Sequence, residues 1–428
     1  MKNKKLIIIC PSMWPDMNLW GETQRMYYLA NYLAEWGWQI TVISPSYDVD
    51  KKNLEIRQKK YKNLYLGSPI KKAGGGGASG PLPRNGKWKS VKRHISNILN
   101  KCSEWFYGEP DFIEVNKKNM WIRKNRNEIC RYIDKEGVQK VIISMPGFTF
   151  MQLGKRIKKA CEHVRLFYDY RDPWYLWMHK KNPAYYRERY YLGFADKVVG
   201  FSEKFRIDMI KEMGIAPHKI YTVYNGYSEQ AWEEFEKRKI PVQDKGPVSE
   251  KLILTYTGSM SLNNKKNNYR NPANLIAAVR ELPDVELYLV GISKIQKEIV
   301  EGNIHYIGEV TQQKSFWHMQ QSDVLISIHD TEDRSGEYLI SGKFYDYMRS
   351  GRTILQKRKE NSLMAEFVNK YHLGDVCQNH TDSLRKKILE LANRKKEGKL
   401  IRESSFEQDI SRYARDYQND IYRQIIDE

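Results

Sequence analysis

The chain is poor in the residues that staple a fold or carry it across a bilayer. Its five cysteines, Cys10, Cys102, Cys130, Cys161 and Cys377, are scattered through 428 residues, and no two form a Cys-x-x-Cys pair. That spacing argues against a disulfide framework and a zinc site, and for a reducing cytosol. No apolar run approaches the roughly 20 residues needed to span a membrane. Residues 6–10 briefly resemble a secretion signal, but the run is too short and Pro11 ends it, so it reads as a buried first strand. Acidic residues are also scarce: 52 Asp and Glu face 72 Lys and Arg, a formal charge of +20. Chains this basic bind nucleic acid, anionic membrane or a polyanionic substrate. Zinc-finger spacing and RNA-binding aromatic motifs are both missing, which sets nucleic acid aside.

The charge excess is uneven. Between residues 71 and 126, thirteen Lys or Arg stand against four Asp or Glu. Within that stretch Trp88, Val91, Ile95, Ile98 and Leu99 recur at helical spacing among Lys87, Lys89, Lys92 and Arg93. A helix of this kind lies on anionic lipid, or packs its apolar stripe on its own domain. The hydrophobic content of 41% suffices for globular folding, and the length calls for two domains.

Those domains show a β/α rhythm. Strands are predicted at 5–10, 39–44, 141–144, 165–170 and 197–201, with a helix over 22–36 ended by Gly37. A second series has strands at 252–257, 286–290, 305–307, 324–328 and 353–355, with a helix over 272–282. The β-loop-α-β units predict parallel sheets with right-handed crossovers, and ligands at the carboxyl ends of the strands. Residues 73–80 are Gly-rich and read as a loop. Residues 237–249, charged and holding Pro241 and Pro247, read as an interdomain connection. The predicted division is 1–240, 241–405 and a helical tail at 406–428 that packs back on the N-terminal domain.

The most informative stretch is 336–351, GEYLISGKFYDYMRSG. Ser341 and Gly342 suit a loop-to-helix junction, where free backbone N–H groups and the helix dipole favour an anion. Lys343 adds a full charge, and Asp346 follows about one turn later on the same side. Phosphate at one end and ribose hydroxyls at the other would fit; so would an ordinary i,i+3 ion pair on a surface helix.

Several stretches together resemble the GT-B glycosyltransferases, and within them the family-4 group of sugar-nucleotide-dependent enzymes that build bacterial surface polysaccharides. They are Gly21-Glu22-Thr23-Gln24-Arg25, Tyr168-Asp169-Tyr170-Arg171-Asp172-Pro173-Trp174, Ala195 to Ser202, Val223-Tyr224-Asn225-Gly226-Tyr227, Tyr256-Thr257-Gly258-Ser259-Met260 and the 336–351 stretch. The resemblance implies an α/β fold of two Rossmann-like domains facing across a cleft. It implies transfer of a sugar from a nucleotide diphosphate donor, UDP preferred over GDP, to a glycan, lipid-linked or other acceptor. It also implies retention of configuration, no metal, no cofactor beyond the donor substrate, and a cytoplasmic enzyme, peripheral at the inner face of the membrane.

Site roles follow from the same resemblance. Gly258, Ser259, Lys265, Lys266, Arg270, Ser341, Gly342 and Lys343 would grip the diphosphate, and Asp346 the ribose. Glu337 would bind a sugar hydroxyl or stabilise charge near the anomeric carbon. The family's first glutamate falls on Tyr338 by strict spacing, so Glu337 serves only through a one-residue loop adjustment. The family's paired glycines after the first strand reduce to Gly21, and its Arg and Lys after the Thr-Gly strand have no clean match. In the N-terminal domain Gly21 and Arg25 would meet the acceptor side, with Arg25 on phosphate. Arg171 and Asp172 would reach the cleft, where Asp172 orients or deprotonates the acceptor hydroxyl, unless the pair is a structural salt bridge. Asp48-Val49-Asp50 is followed by Lys51 and Lys52 and reads as a solvated loop. Asn225-Gly226 reads as a tight turn, and His179 and His305 have no identifiable partner. Two other readings stand beside the transferase: a nucleotide-sugar epimerase or hydrolase on the same fold, and a non-catalytic basic membrane binder.

Overall fold

The β-branched apolar runs become strands buried on both faces, as parallel sheets require. The computed structural model describes residues 4–13, 20–45, 59–67, 86–109, 111–145, 149–178, 181–238, 250–260, 271–292, 295, 297–328, 334–358, 362–400 and 410–428. The chain divides into two units, Met1–Val223 with Asn419–Glu428, and Tyr224–Gln418. The division thus falls ahead of residue 240, and the tail splits inside its last helix rather than at residue 406. The reason lies in residues 229–237, whose Trp232 stacks on Phe316 of the second unit with ring centroids 4.1 Å apart.

The first unit holds strands β1 (Lys5–Ile9), β2 (Gln39–Ser44), β3 (Lys62–Tyr65), β4 (Lys140–Met145), β5 (Arg165–Tyr170), β6 (Lys197–Gly200) and β7 (Ile220–Thr222). They form one sheet in the order β3-β2-β1-β4-β5-β6-β7, and every pairing is parallel. Its helices are α1 (Trp20–Glu35), α2 (Gly86–Tyr107), α3 (Phe112–Glu136), α4 (Met151–Ala160), α5 (Tyr175–Met178), α6 (Pro183–Leu192) and α7 (Glu203–Met213). Local signals set their ends. Asp111 caps α3 by accepting from Glu114 N, and Gly137 closes it at φ 64°. The last ten residues finish this core: Tyr422, Ile425 and Ile426 pack with Leu6, Ile8, Leu29 and Val42. Lys197 Nζ donates to Ile425 O at 2.9 Å and meets Glu428.

The second unit holds helix α8 (Glu229–Lys237), then strands β8 (Leu252–Thr257), β9 (Val285–Val290), β10 (Ile299–Glu301), β11 (Ile304–Ile307), β12 (Val324–Ser327), β13 (Thr353–Arg358) and β14 (Gly374–Gln378). The sheet order is β10-β11-β9-β8-β12-β13-β14. Only β10–β11 is antiparallel among these pairs. Helices α9 (Ala273–Arg280), α10 (Gln312–Gln321), α11 (Gly342–Ser350), α12 (Leu363–Lys370) and α13 (Thr381–Lys396) cover it. The final helix α14 (Arg415–Asp427) starts in this unit and ends in the first. The expected turn at Asn225-Gly226 is present: Gly226 has φ +68°, and a Cβ there would lie 2.6 Å from Tyr413 O.

Glu188 is fully buried beneath the carboxyl end of β5. It accepts from Tyr170 Oη at 2.9 Å and Tyr175 N at 3.1 Å. Burial pushes its carboxyl from 4.5 up to about 7, against those two hydrogen bonds. The folded state therefore holds a proton that the unfolded state releases, and stability falls as pH rises from 4.5 to about 7. Chemical denaturation of Glu188→Gln at several pH values should show this segment of the decline flattened.

Candidate functional site

In an open parallel sheet a ligand sits beyond the carboxyl ends of the strands, where the strand order reverses. In the second unit that point lies at β8 and β12, and Gly258 follows directly on β8. Gly258 has φ +110° and Gly291, after β9, has φ +103°. Both angles suit glycine. A Cβ on Gly291 would sit 2.9 Å from Gly258 C and O, so the two turns touch backbone to backbone.

Helix α11 brings its first turn to the same place. Lys343 Nζ lies 3.7 Å from the centroid of the Tyr256 ring and meets the Tyr256 hydroxyl. Tyr256 is fully buried, and its hydroxyl donates to Ser259 O at 3.0 Å. A Cβ on Gly258 would stand 3.1 Å from Lys343 Nζ. One turn later the Tyr347 hydroxyl accepts from Thr257 N at 2.8 Å. Ser341 occupies the N-cap without a side-chain cap hydrogen bond, and its buried Oγ has no hydrogen-bond partner among the described residues. A Cβ at Gly342 would meet nothing within 4 Å. The structure thus brings the Gly258-Ser259 turn and the Lys343 ammonium together at the N-terminus of α11, where Ser341 and Gly342 stand, an arrangement suited to an anion.

Asp346 is half-buried on α11. Its carboxyl accepts from Trp232 Nε1 at 3.4 Å. Burial pushes it from 3.8 up to about 6, opposed by Arg415 and the Trp232 N–H. Glu337 ends a short 3-10 turn and is half-buried, whereas Tyr338, the strict-spacing position, is fully buried core. Lys265, Lys266 and Arg270 lie outside the described residues.

In the first unit the order reverses at β1 and β4. Burial pushes the Cys10 thiol, just after β1, up to about 12, and the charge of Arg171 opposes it. Beside it, burial raises the Asp172 carboxyl, with Arg171 pulling the other way. Gly21 falls in the first turn of α1. Arg25, expected on a phosphate or facing solvent, is instead buried in the fold. Its Nε pairs with Asp169 Oδ1 at 2.9 Å, its Nη1 donates to Val223 O at 2.8 Å, and it lies 5.9 Å over the Tyr422 ring. Asp169 is fully buried and also accepts from Ser144 Oγ at 3.1 Å.

The sequence assigned no role to Tyr256, Tyr347, Gly291 or Trp232, though Tyr256 and Tyr347 fall within the resembling stretches. Gly291 carried a signal, a glycine directly after a predicted strand; the aromatic residues carried none. His305 does have partners: Glu298 at 2.9 Å, Glu286 at 2.8 Å and the stacked Tyr288 ring. His179, Asp48 and Asp50 lie outside the described residues. Among the described residues no cluster of His, Cys, Asp and Glu could hold a metal ion, and no helix is long and apolar enough to cross a membrane.

No family model and no curated protein matches the sequence. Solved structures match it end to end. A glycosyltransferase from Rickettsia africae shares 15% identity at TM-score 0.60, covering 99% of this chain and 98% of that one. The chain has the GT-B fold. Sucrose-phosphate synthase from Thermosynechococcus elongatus gives 12% identity and TM-score 0.63, with 99% of each chain covered. Anabaena HepE, solved in complex with UDP, gives 11% identity and TM-score 0.58, again over 99% of each chain. At these identities the likeness is one of fold.

The Arg25–Asp169 pair yields a stability test. Arg25→Ala strands a buried carboxylate and should lower the unfolding free energy by about 3–5 kcal/mol, measured by chemical denaturation.

Proposed function

We propose that the protein is a glycosyltransferase of the family-4 type that takes a sugar from a nucleotide diphosphate donor. The observation that carries this reading is Lys343, held on the Tyr256 ring beside Gly258 at the strand-order reversal of the second unit. As the glycosidic bond breaks, the anomeric carbon takes on oxocarbenium character and charge builds on the leaving diphosphate. Preorganised donors at that oxygen lower the barrier most. In this reading the Lys343 ammonium, the N–H groups at Ser341 and Gly342 and the Gly258-Ser259 turn receive that charge, with Lys265 and Arg270 as further cations. Asp346 accepts from the ribose hydroxyls, and Glu337 lies toward the sugar. Transfer proceeds with retention, without a protein nucleophile or a metal.

In the first unit Arg171 and Asp172 serve the acceptor, together with the α1 end that carries Gly21. A carboxyl raised by burial, with Arg171 pulling the other way, makes Asp172 a stronger base toward an acceptor hydroxyl. UDP is preferred over GDP, supported by the UDP found in a neighbour of the same fold. A lipid-linked acceptor fits the basic N-terminal unit, with the enzyme on the cytoplasmic side and peripheral to an anionic membrane.

Thermal-shift titration with UDP should stabilise the protein. Lys343→Ala should abolish most of that shift and reduce turnover roughly a hundredfold, about 3 kcal/mol. Unchanged shifts in Lys343→Ala would move the site elsewhere. Product analysis with and without acceptor separates transfer from hydrolysis or epimerisation: sugar released or epimerised without acceptor replaces the transferase reading. For Asp346 the sign is set by its raised value. Affinity for a UDP-sugar should rise between pH 5 and 7 as the carboxyl ionises near 6. In Asp346→Asn that rise should vanish.

A further inference from the structure

Helix α2 wears its apolar side outward. Ile95, Ile98, Leu99, Trp105 and Phe106 are 51%, 48%, 38%, 50% and 48% exposed, and Cys102 between them is exposed too. The positions 95, 98, 99, 102, 105 and 106 repeat at three- and four-residue steps, so they share one helical face. The stripe runs about 16 Å along the axis. The side turned to the protein is polar by comparison: Ser103 is buried and Asn100 and Tyr107 are partly buried, while Asn100 Oδ1 accepts from Phe112 N at 3.2 Å. Packing on the domain, one of the two fates open to this helix from its sequence, therefore does not describe residues 95–106.

Exposed single apolar side chains are ordinary, but a continuous row of five on one helix marks a surface with a partner. Charge says which partner. The helix carries five Lys or Arg, at positions 87, 89, 92, 93 and 101, against Glu104 alone. A row of Ile and Leu ending in Trp and Phe, on a helix whose sequence is this basic, matches an interfacial helix whose apolar face enters the headgroup boundary of an anionic bilayer.

We infer that the 95–106 face of α2 is a lipid-insertion surface, held by its exposed Ile98, Leu99, Trp105 and Phe106 entering the bilayer as well as by charge. This deepens the membrane reading above and rests on none of the transfer chemistry. It separates insertion from electrostatic adhesion. Adhesion alone disappears at high salt, whereas an inserted face keeps part of its binding.

Cys102 supplies a reporter, since the other four cysteines are buried. An environment-sensitive fluorophore is attached there in the otherwise wild-type chain. It is titrated with vesicles of phosphatidylcholine alone and of phosphatidylcholine mixed with phosphatidylglycerol, at low and high salt; sedimentation of unlabelled protein gives the binding constants. The expected result is tight binding to the mixed vesicles with a blue-shifted reporter, weakened but retained at high salt. Ile98→Asp and Trp105→Asp should each weaken binding about tenfold or more. Both substitute exposed side chains, so their UDP thermal shift should match wild type; this keeps a failure of insertion distinct from a failure of the nucleotide site.

Binding without a reporter shift, binding indifferent to both substitutions, binding lost entirely at high salt, or no binding to either vesicle would overturn the inference. So would sedimentation velocity showing a dimer that Ile98→Asp dissociates, which would make the face a self-association surface.

Discussion

The geometry around Lys343 rests on the contact between two glycine turns. Gly258 and Gly291 end adjacent parallel strands in conformations that a side chain resists, and there is no room for a Cβ between them. Lys343 lies over the Tyr256 ring directly beside the Gly258 turn, where a Cβ on Gly258 would stand 3.1 Å from its Nζ. The Tyr347 hydroxyl, bound to Thr257 N, then fixes α11 against the strand that carries Gly258. A helix N-terminus, a flexible cation and a bare turn would be three separate features without that contact. With it the turn, the helix end and the Lys343 ammonium stand side by side.

Much of this was legible from the residues. The strands at 39–44, 165–170 and 252–257 coincide with β2, β5 and β8, because short runs rich in Ile, Val, Leu, Phe and Tyr leave little choice of element. The Lys343 and Gly258 assignments identified residues that the fold brings together from positions far apart in the chain. Short edge strands such as β3, with Lys62 and Asn63, and β14, with Gly374 and Asp375, carry no apolar run and were invisible. The domain division was misplaced because prolines at 241 and 247 were more conspicuous than Trp232, whose partner Phe316 is distant in sequence. Arg25 shows the limit from the other side. On a helical wheel it is a polar position, and nothing local tells that Asp169, buried in β5, is waiting for it.

Burial also separates carboxylates that look alike in sequence. Asp169 is paired with Arg25. Glu188 accepts two hydrogen bonds from neutral groups, and Asp346 accepts an indole N–H with Arg415 nearby. The three carboxyls therefore meet different electrostatic conditions at neutral pH. The difference follows from whether a cation forms a direct ion pair.

The last ten residues bear on how the chain is made. Tyr422, Ile425 and Ile426 belong to the core of the first unit, yet they leave the ribosome after the whole of the second unit, roughly two hundred residues later. At about 5–20 residues per second the delay is on the order of 10–40 seconds. During that interval the N-terminal sheet and α1 lack three of their buried apolar neighbours. The first unit can collapse early but completes its core only once residues 419–428 have emerged. An apolar seam beside Leu6 and Leu29 is therefore the surface a chaperone would find on the nascent chain.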